Sequence, residues 1–183
     1  TASYFEMSEW SLPGDVGEKL INHVHDFEEE GNFEELKPFF KGGMWRNFLS
    51  IYEESNWMQK KMQNLSNKID ELGDKKLTAA KKKNLEKAKY HMWKSSCNCT
   101  YWHGIFGGLY LPHLRHAVYQ EMIISEKYID QVETPKALAF DVVDFDLDGH
   151  DEVLIKNQDI QMAISPAKGG IIEELSLRGK NFN

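Results

Sequence analysis

The stretch Asn98–Arg115 reads NCTYWHGIFGGLYLPHLR. It lies between two long helical patterns, so reading it as a loop sets the order of the helical region. Tyr101, Trp102 and Phe106 supply aromatic faces, and Gly104, Gly107 and Gly108 lie among them with His103. Glycine lets backbone approach backbone or ligand closely and accepts positive φ. Aromatic rings combine a large apolar face with a polar tip. Two readings satisfy these residues: the wall of a ligand site, or a tight helix–helix connection whose rings pack inward.

Working outward, Met58, Met62, Leu65, Ile69 and Leu72 recur at spacings of four and three, which predicts a helix with one apolar seam. Gly73-Asp74 turns the chain. Leu77 to Trp93 predicts a second helix with Ala80, Leu85, Ala88 and Met92 inward, completing an αα-hairpin. Lys75, Lys76, Lys81, Lys82 and Lys83 make a basic strip that reads as a solvated face. Beyond the loop, Leu111 to Gln131 predicts a third long helix, with Pro112 in the first turn where a missing N–H is tolerated. Leu114, Val118, Met122, Ile123 and Ile129 supply its buried side.

Toward the N-terminus, Tyr4, Phe5, Met7, Trp10 and Leu12 make Thr1–Pro13 too apolar for a free tail, so it reads as a docked segment. Asp15 is placed to cap a helix carrying Leu20, Ile21, Val24 and Phe27, which Gly31 stops. Phe33–Lys37 predicts a short helix ended by Pro38. Gly42-Gly43 breaks the chain before Trp45, Phe48, Ile51 and Tyr52, with Arg46 and Asn47 among them.

The pattern changes at Thr134-Pro135. Ala137–Val143, Glu152–Lys156, Ile160–Ser165 and Ile171–Leu177 read as strands. Four strands make a small sheet with a face still to be covered. The expected fold is therefore α+β and mainly α. An antiparallel bundle of about three long helices, residues 1–133, precedes antiparallel strands that begin a β-sandwich, residues 134–183.

The loop Asp144–Glu152 joins the first two strands. Asp144, Asp146 and Asp148 alternate along it, Gly149 allows a sharp turn, and Asp151 or Glu152 can close the set. Such oxygen donors suit Ca²⁺, although the spacing is shorter than an EF-hand loop. The expected metal ligands are Asp144, Asp146, Asp148 and Glu152, with calcium in a structural role and no cofactor for catalysis. An acidic hairpin held by Asx turns without metal satisfies the same residues.

Of the 183 residues, 41% are hydrophobic and 28% charged, which supports a packed core. The net charge of −7 argues against nucleic acid and against an anionic membrane surface. No apolar run approaches the roughly 18 residues of a membrane span. Cys97 and Cys99, the two cysteines, are expected to be reduced, and the cytoplasm is the expected compartment. The chain starts at Thr1 without a leader, and is expected to be processed or a fragment.

Asn98, Tyr101-Trp102-His103-Gly104, Phe106-Gly107-Gly108 and Tyr110–Arg115 resemble the last conserved region of glycoside hydrolase family 57, of the α-amylase/4-α-glucanotransferase type. Glu9–Pro13, Lys41–Phe48, Glu54–Asn56, Asp144–Leu154 and Ser165–Glu174 extend the resemblance over nearly the whole chain. Cys99 stands where the family usually has Asp. The resemblance implies a helical domain that closes over the mouth of an N-terminal catalytic barrel in the same parent chain. That barrel carries a Glu nucleophile and an Asp acid/base for retaining cleavage of α-1,4-glucosidic bonds. No motif in this chain matches either carboxylate, so no catalytic residue is assigned and the chain alone is expected to be inactive.

The substrate-binding residues implied are Asn98, Tyr101, Trp102 and His103, with Trp10 on the same wall. The partner expected is an α-1,4-glucan or malto-oligosaccharide. Sugar rings stack on aromatic faces, and their hydroxyls need convergent polar groups. Two alternatives remain at this level: a stand-alone carbohydrate- or calcium-binding module, and a helical structural or interaction domain.

Overall fold

The computed structural model describes residues 5–102, 107–134 and 137–183. The expectations placed on Tyr4, His103, Gly104, Phe106 and Pro135 lie outside the described residues. The chain divides into two compact units, Thr1–Asn56 and Trp57–Asn183. The expected boundary at 133/134 falls inside the second.

The first unit holds α1 (Phe5–Trp10), α2 (Gly14–Glu29), α3 (Phe33–Leu36), α4 (Trp45–Ile51) and the first residues of α5 (Glu53–Gly73). Its interior is aromatic. Phe33 meets Phe5 and Phe40 edge-on at 5.9 and 6.2 Å, and Phe48 stacks between Trp45 and Tyr52. Gly42-Gly43 is the seat on which α1 ends. The Gly43 N–H donates to the Ser8 carbonyl at 2.7 Å. A Cβ on Gly42 would stand 2.2 Å from that carbonyl oxygen, and one on Gly43 would stand 2.6 Å from Ser11 Cβ. Only a residue without a side chain permits this approach.

Two local expectations need correction here. Pro13 holds the N-cap position of α2, and Asp15 lies in the first turn, where its charge complements the helix dipole. Ile21 is 51% exposed, so the stripe of α2 is narrower than the sequence suggests.

The second unit is built from α5, α6 (Ala79–Ser95), α7 (Pro112–Val132) and the strands β1 (Ala139–Val143), β2 (Glu152–Lys156), β3 (Ile160–Ser165) and β4 (Ile171–Leu177). After α5 ends at Gly73, where a Cβ would stand 4.0 Å from Leu85 of α6, the chain turns into α6, and α6 in turn packs along α7. Ala88 and Ser125 are fully buried there, and the Ser125 hydroxyl donates to the Ala88 carbonyl at 2.8 Å. Such small residues let two backbones come close. Ala80, expected inward, is exposed, and Thr78 caps α6 by accepting the Lys81 N–H.

The seam of α5 also differs from expectation. Trp57, Met58, Leu65, Ile69 and Leu72 are buried, but the position between Met58 and Leu65 is filled by Lys61, at 1% exposure, while Met62 lies at the margin. Spacings of three and four lead to Lys61 as directly as to Met62. Apolarity alone favours the methionine.

The strands form one antiparallel sheet in the order β1-β2-β3-β4. Asp141, Leu154, Ala163 and Glu174 pair across it in register and share one face. Glu174 and Gln161 on this face bond to α5 and α7. The other face shows Phe140 at 62% and Leu175 at 46% exposure. The polar side of the sheet is thus turned inward and the apolar side outward, which the charges explain.

Lys61 Nζ lies 2.5 Å from Glu174 Oε1 and 3.0 Å from Glu126 Oε1 on α7. Glu174 also accepts from Trp57 Nε1 and from the Ser176 hydroxyl. Gln161 donates to Glu126 and accepts from Arg178, a buried guanidinium that pairs with Asp130. Lys156 adds a second cation to Asp130 at 2.8 Å. Burial works against the Lys61 charge, but Glu126 and Glu174 outweigh it and raise its pKa. Burial likewise opposes the Glu126 carboxylate, and Lys61 followed by Lys156 outweighs it and lowers that pKa.

Removing one member of such a set strands a buried charge, so Lys61→Ala is expected to cost about 3–5 kcal/mol in urea unfolding. A depressed Glu126 pKa adds stability above the ordinary glutamate value, and that stability is lost as pH falls through the folded value. Melting followed by circular dichroism should therefore fall more steeply below about pH 4.5 in the wild type than in Glu126→Gln.

Candidate functional site

The loop after α6 begins with a 3₁₀ turn at Asn98–Thr100, and a second 3₁₀ turn, Gly108–Tyr110, leads into α7. Tyr101 and Trp102 follow the first turn. The Tyr101 N–H donates to the Asn98 carbonyl at 3.1 Å. Its ring is buried at 5% exposure, and its hydroxyl donates to the Ser95 carbonyl at 2.7 Å. Burial, and then nearby Cys97, pushes the phenol far above its ordinary value, so it stays a neutral donor. Tyr101 thus ties the loop to the end of α6 rather than facing outward.

Trp102 is half-buried. Its carbonyl accepts the Leu109 N–H at 2.9 Å. Gly108, at φ +40°, packs against that same carbonyl. A Cβ there would stand 1.8 Å from Trp102 O and 3.0 Å from Cys99 O. The glycine run is therefore a backbone crossing that fixes where the indole begins. Asn98 is exposed beside it. His103, the remaining member of this group, lies outside the described residues. Trp10 sits half-buried at the end of α1 in the first unit.

The acidic loop between β1 and β2 draws Asp144, Asp146 and Glu152 together, with one oxygen of each within 4.8 Å of the others. Asp146 and Glu152 are buried. Backbone N–H groups already serve these carboxylates. Phe145 donates to Glu152 at 3.0 Å, Asp148 to Asp144 and Asp146 at 3.0 and 3.2 Å, and Gly149 to Asp144 at 3.1 Å. Asp148 stands apart from the trio and accepts the His150 N–H at 2.8 Å, an Asx turn. Gly149 and Leu147 both take positive φ, and for Leu147, at 60°, that is a strained conformation.

Burial pushes the Asp146 carboxyl up, and the Asp148 charge adds to this. Glu152 is also raised by burial, with the Asp146 charge acting the same way against the Phe145 N–H bond. A dication would relieve the repulsion within this set, and its all-oxygen donors suit calcium. The residues present fit that ion.

Sequence reasoning missed Ser95 as the anchor of Tyr101. The signal available was a small residue six positions before an aromatic at a helix end, which is not selective. Tyr101 and Gly108 thus fix the backbone at Trp102 after α6.

Known proteins resemble this chain in sequence and in fold. Residues 43–129 match the family model described as alpha-amylase/4-alpha-glucanotransferase, middle domain, and residues 144–183 match alpha-amylase/4-alpha-glucanotransferase, C-terminal. The chain thus matches the middle and C-terminal domains of the alpha-amylase/4-alpha-glucanotransferase type in succession. It is 39% identical over 183 residues to alpha-amylase 1 of Dictyoglomus thermophilum, covering 100% of this chain and 25% of that protein. A 4-alpha-glucanotransferase of Thermococcus litoralis is 39% identical over 182 residues, with 25% of its length covered. The crystal structure of 4-alpha-glucanotransferase from that organism superposes with a TM-score of 0.78 at 40% identity, over 100% of this chain and 26% of the other. The chain thus spans about a quarter of the length of the curated relatives it matches. No helix among the described residues is long and apolar enough to cross a membrane.

Gly108→Ala places a methyl group against backbone, so the crossing must open. The expected cost is at least about 1–3 kcal/mol. Hydrogen exchange should show the loss at Leu109 and in the 98–110 loop, with the amides of α6 and α7 still protected.

Proposed function

We propose that this chain is the accessory helical domain, with the start of a β-sandwich, of an enzyme acting on α-1,4-glucans. A catalytic barrel N-terminal to it in the parent chain holds the reacting bond and supplies the Glu and Asp for cleavage with retention. The chain alone is inactive. The observation that carries this reading is the likeness of the whole chain to about a quarter of the length of amylases and glucanotransferases, combined with a half-buried Trp102 whose backbone carbonyl Gly108 packs against. Trp102 offers a face to a sugar ring, and Asn98 and His103 offer hydrogen bonds to its hydroxyls. Tyr101 acts through the loop it anchors. The open apolar side of the sheet, with Phe140 and Leu175, receives a second sheet of the sandwich.

In the parent enzyme Trp102→Ala should lower kcat/KM on malto-oligosaccharides by more than about tenfold, because misplacing a substrate is costly. In this chain, malto-oligosaccharide should shift tryptophan emission weakly, and Trp102→Ala should abolish the shift. Undiminished turnover, or a shift that survives the substitution, overturns the reading.

The convergence of Asp144, Asp146 and Glu152 favours a second element of function: a structural calcium that fastens the β1–β2 loop. Calcium binds the ionised carboxylates, so affinity should weaken as pH falls through the raised values of Asp146 and Glu152. Calorimetric titration is expected to give heat that Asp146→Asn removes, and a chelator is expected to lower the melting temperature. A flat titration together with unchanged melting rules the ion out.

A further inference from the structure

We propose that Cys97 and Cys99 form a reversible thiol–disulfide modification site on the loop that presents Trp102. Both thiols are free and exposed. They flank Asn98, at the start of the 3₁₀ turn that leads into Tyr101 and Trp102. A pair separated by one residue closes only a small, strained ring. Strained disulfides are readily reduced, which makes them suited to switching rather than to permanent bracing.

The pair is mechanically joined to the indole. The Thr100 N–H donates to the Cys97 carbonyl at 3.4 Å, and Tyr101 bonds to Asn98 within the same turn. The Cys99 carbonyl lies in the crossing that Gly108 fills, beside the Trp102 carbonyl. Drawing the two Cβ atoms together across Asn98 must rewind this turn. The rewinding is passed to the Trp102–Leu109 hydrogen bond, because the crossing has no room to absorb it.

The co-reactant is a small disulfide such as glutathione disulfide. One cysteine thiolate attacks a glutathione sulfur, forming a mixed disulfide and expelling a glutathione thiolate, which takes up the proton. The second thiolate attacks the protein sulfur of that mixed disulfide and expels the second glutathione. Two protein thiols are oxidised to one disulfide, and one glutathione disulfide is reduced to two thiols. The consequence for glucan binding rests on the function proposed above; the exchange itself does not.

The test treats the whole native chain with glutathione disulfide. It reads free thiols, intact mass and tryptophan emission, in wild type, Cys97→Ser, Cys99→Ser and Trp102→Phe. The wild type is expected to lose both thiols and two hydrogens, without retained glutathione. Each single serine variant is expected to stop at one bound glutathione. The emission change on oxidation should reverse with dithiothreitol and be absent in Trp102→Phe. Thiols that react only after unfolding, a persistent mixed disulfide in wild type, or emission unchanged by oxidation would each overturn the proposal. Malto-oligosaccharide titration of both forms separates the two readings. Weaker binding by the oxidised form joins them, whereas no binding by either form sinks the sugar wall and leaves the thiol result standing.

Discussion

Lys61 is the contact on which the second unit depends. A lysine ammonium at 1% exposure is tolerable only with carboxylates against it, and here one comes from the sheet and one from α7. That requirement turns the polar side of β4 toward the helices, since Glu174 and Ser176 both join the network. Leu175 and Leu177 must then point the other way, because side chains alternate along a strand. The exposed apolar face is a consequence of where the lysine sits. A hydrophobic seam at position 61 would have removed the reason for this orientation and fixed the register less sharply.

The same logic of fixing by a few demanding groups recurs at the aromatic loop. A long connection rich in glycine would ordinarily sample many conformations. Tyr101 and Gly108 act against this from opposite sides. The first inserts a ring and uses its hydroxyl on the end of α6. The second permits a backbone crossing that any side chain would block. Trp102 is thereby backed by two anchors next to helices that pack closely against each other. A ring that stacks on a sugar needs this kind of support, because binding that first has to order its own wall loses affinity.

Much of the fold was legible in the sequence. Strands β2, β3 and β4 fall where the alternation places them, and α5, α6 and α7 follow their apolar repeats to within a few residues. Periodicity reports these because it counts apolar positions, and most inward positions are apolar. It failed where the inward residue was charged. Lys61 has the spacing of the seam but the composition of a surface, and Glu126 and Glu174 look like any solvated glutamate until their partners are in space. Asp15 failed for another reason, since Pro13 ends the preceding turn two residues earlier and takes the capping position. At the site, the aromatic–glycine run was visible as special. Which aromatic was structural was not, because the distinction rests on the distance from Tyr101 to Ser95.

The acidic loop and the buried lysine share one chain of contacts. Glu174 accepts from the Trp57 indole, the Trp57 ring lies 4.7 Å from that of Phe145, and the Phe145 N–H donates to Glu152. Each link is short and two of the three are directional. Phe145 lies between two loop carboxylates in sequence, so any rearrangement that brings Asp144, Asp146 and Glu152 closer acts on its backbone as well as on its neighbours. Its ring then presses on the indole that helps hold Glu174 in place for Lys61. Negative charge dominates the outer end of this path, whereas at the inner end Lys61, Lys156 and Arg178 balance Glu126, Glu174 and Asp130. A further positive charge in the outer loop would therefore strengthen the path at its weaker end. The loop thus belongs energetically with the core of the second unit, although its sequence reads as surface.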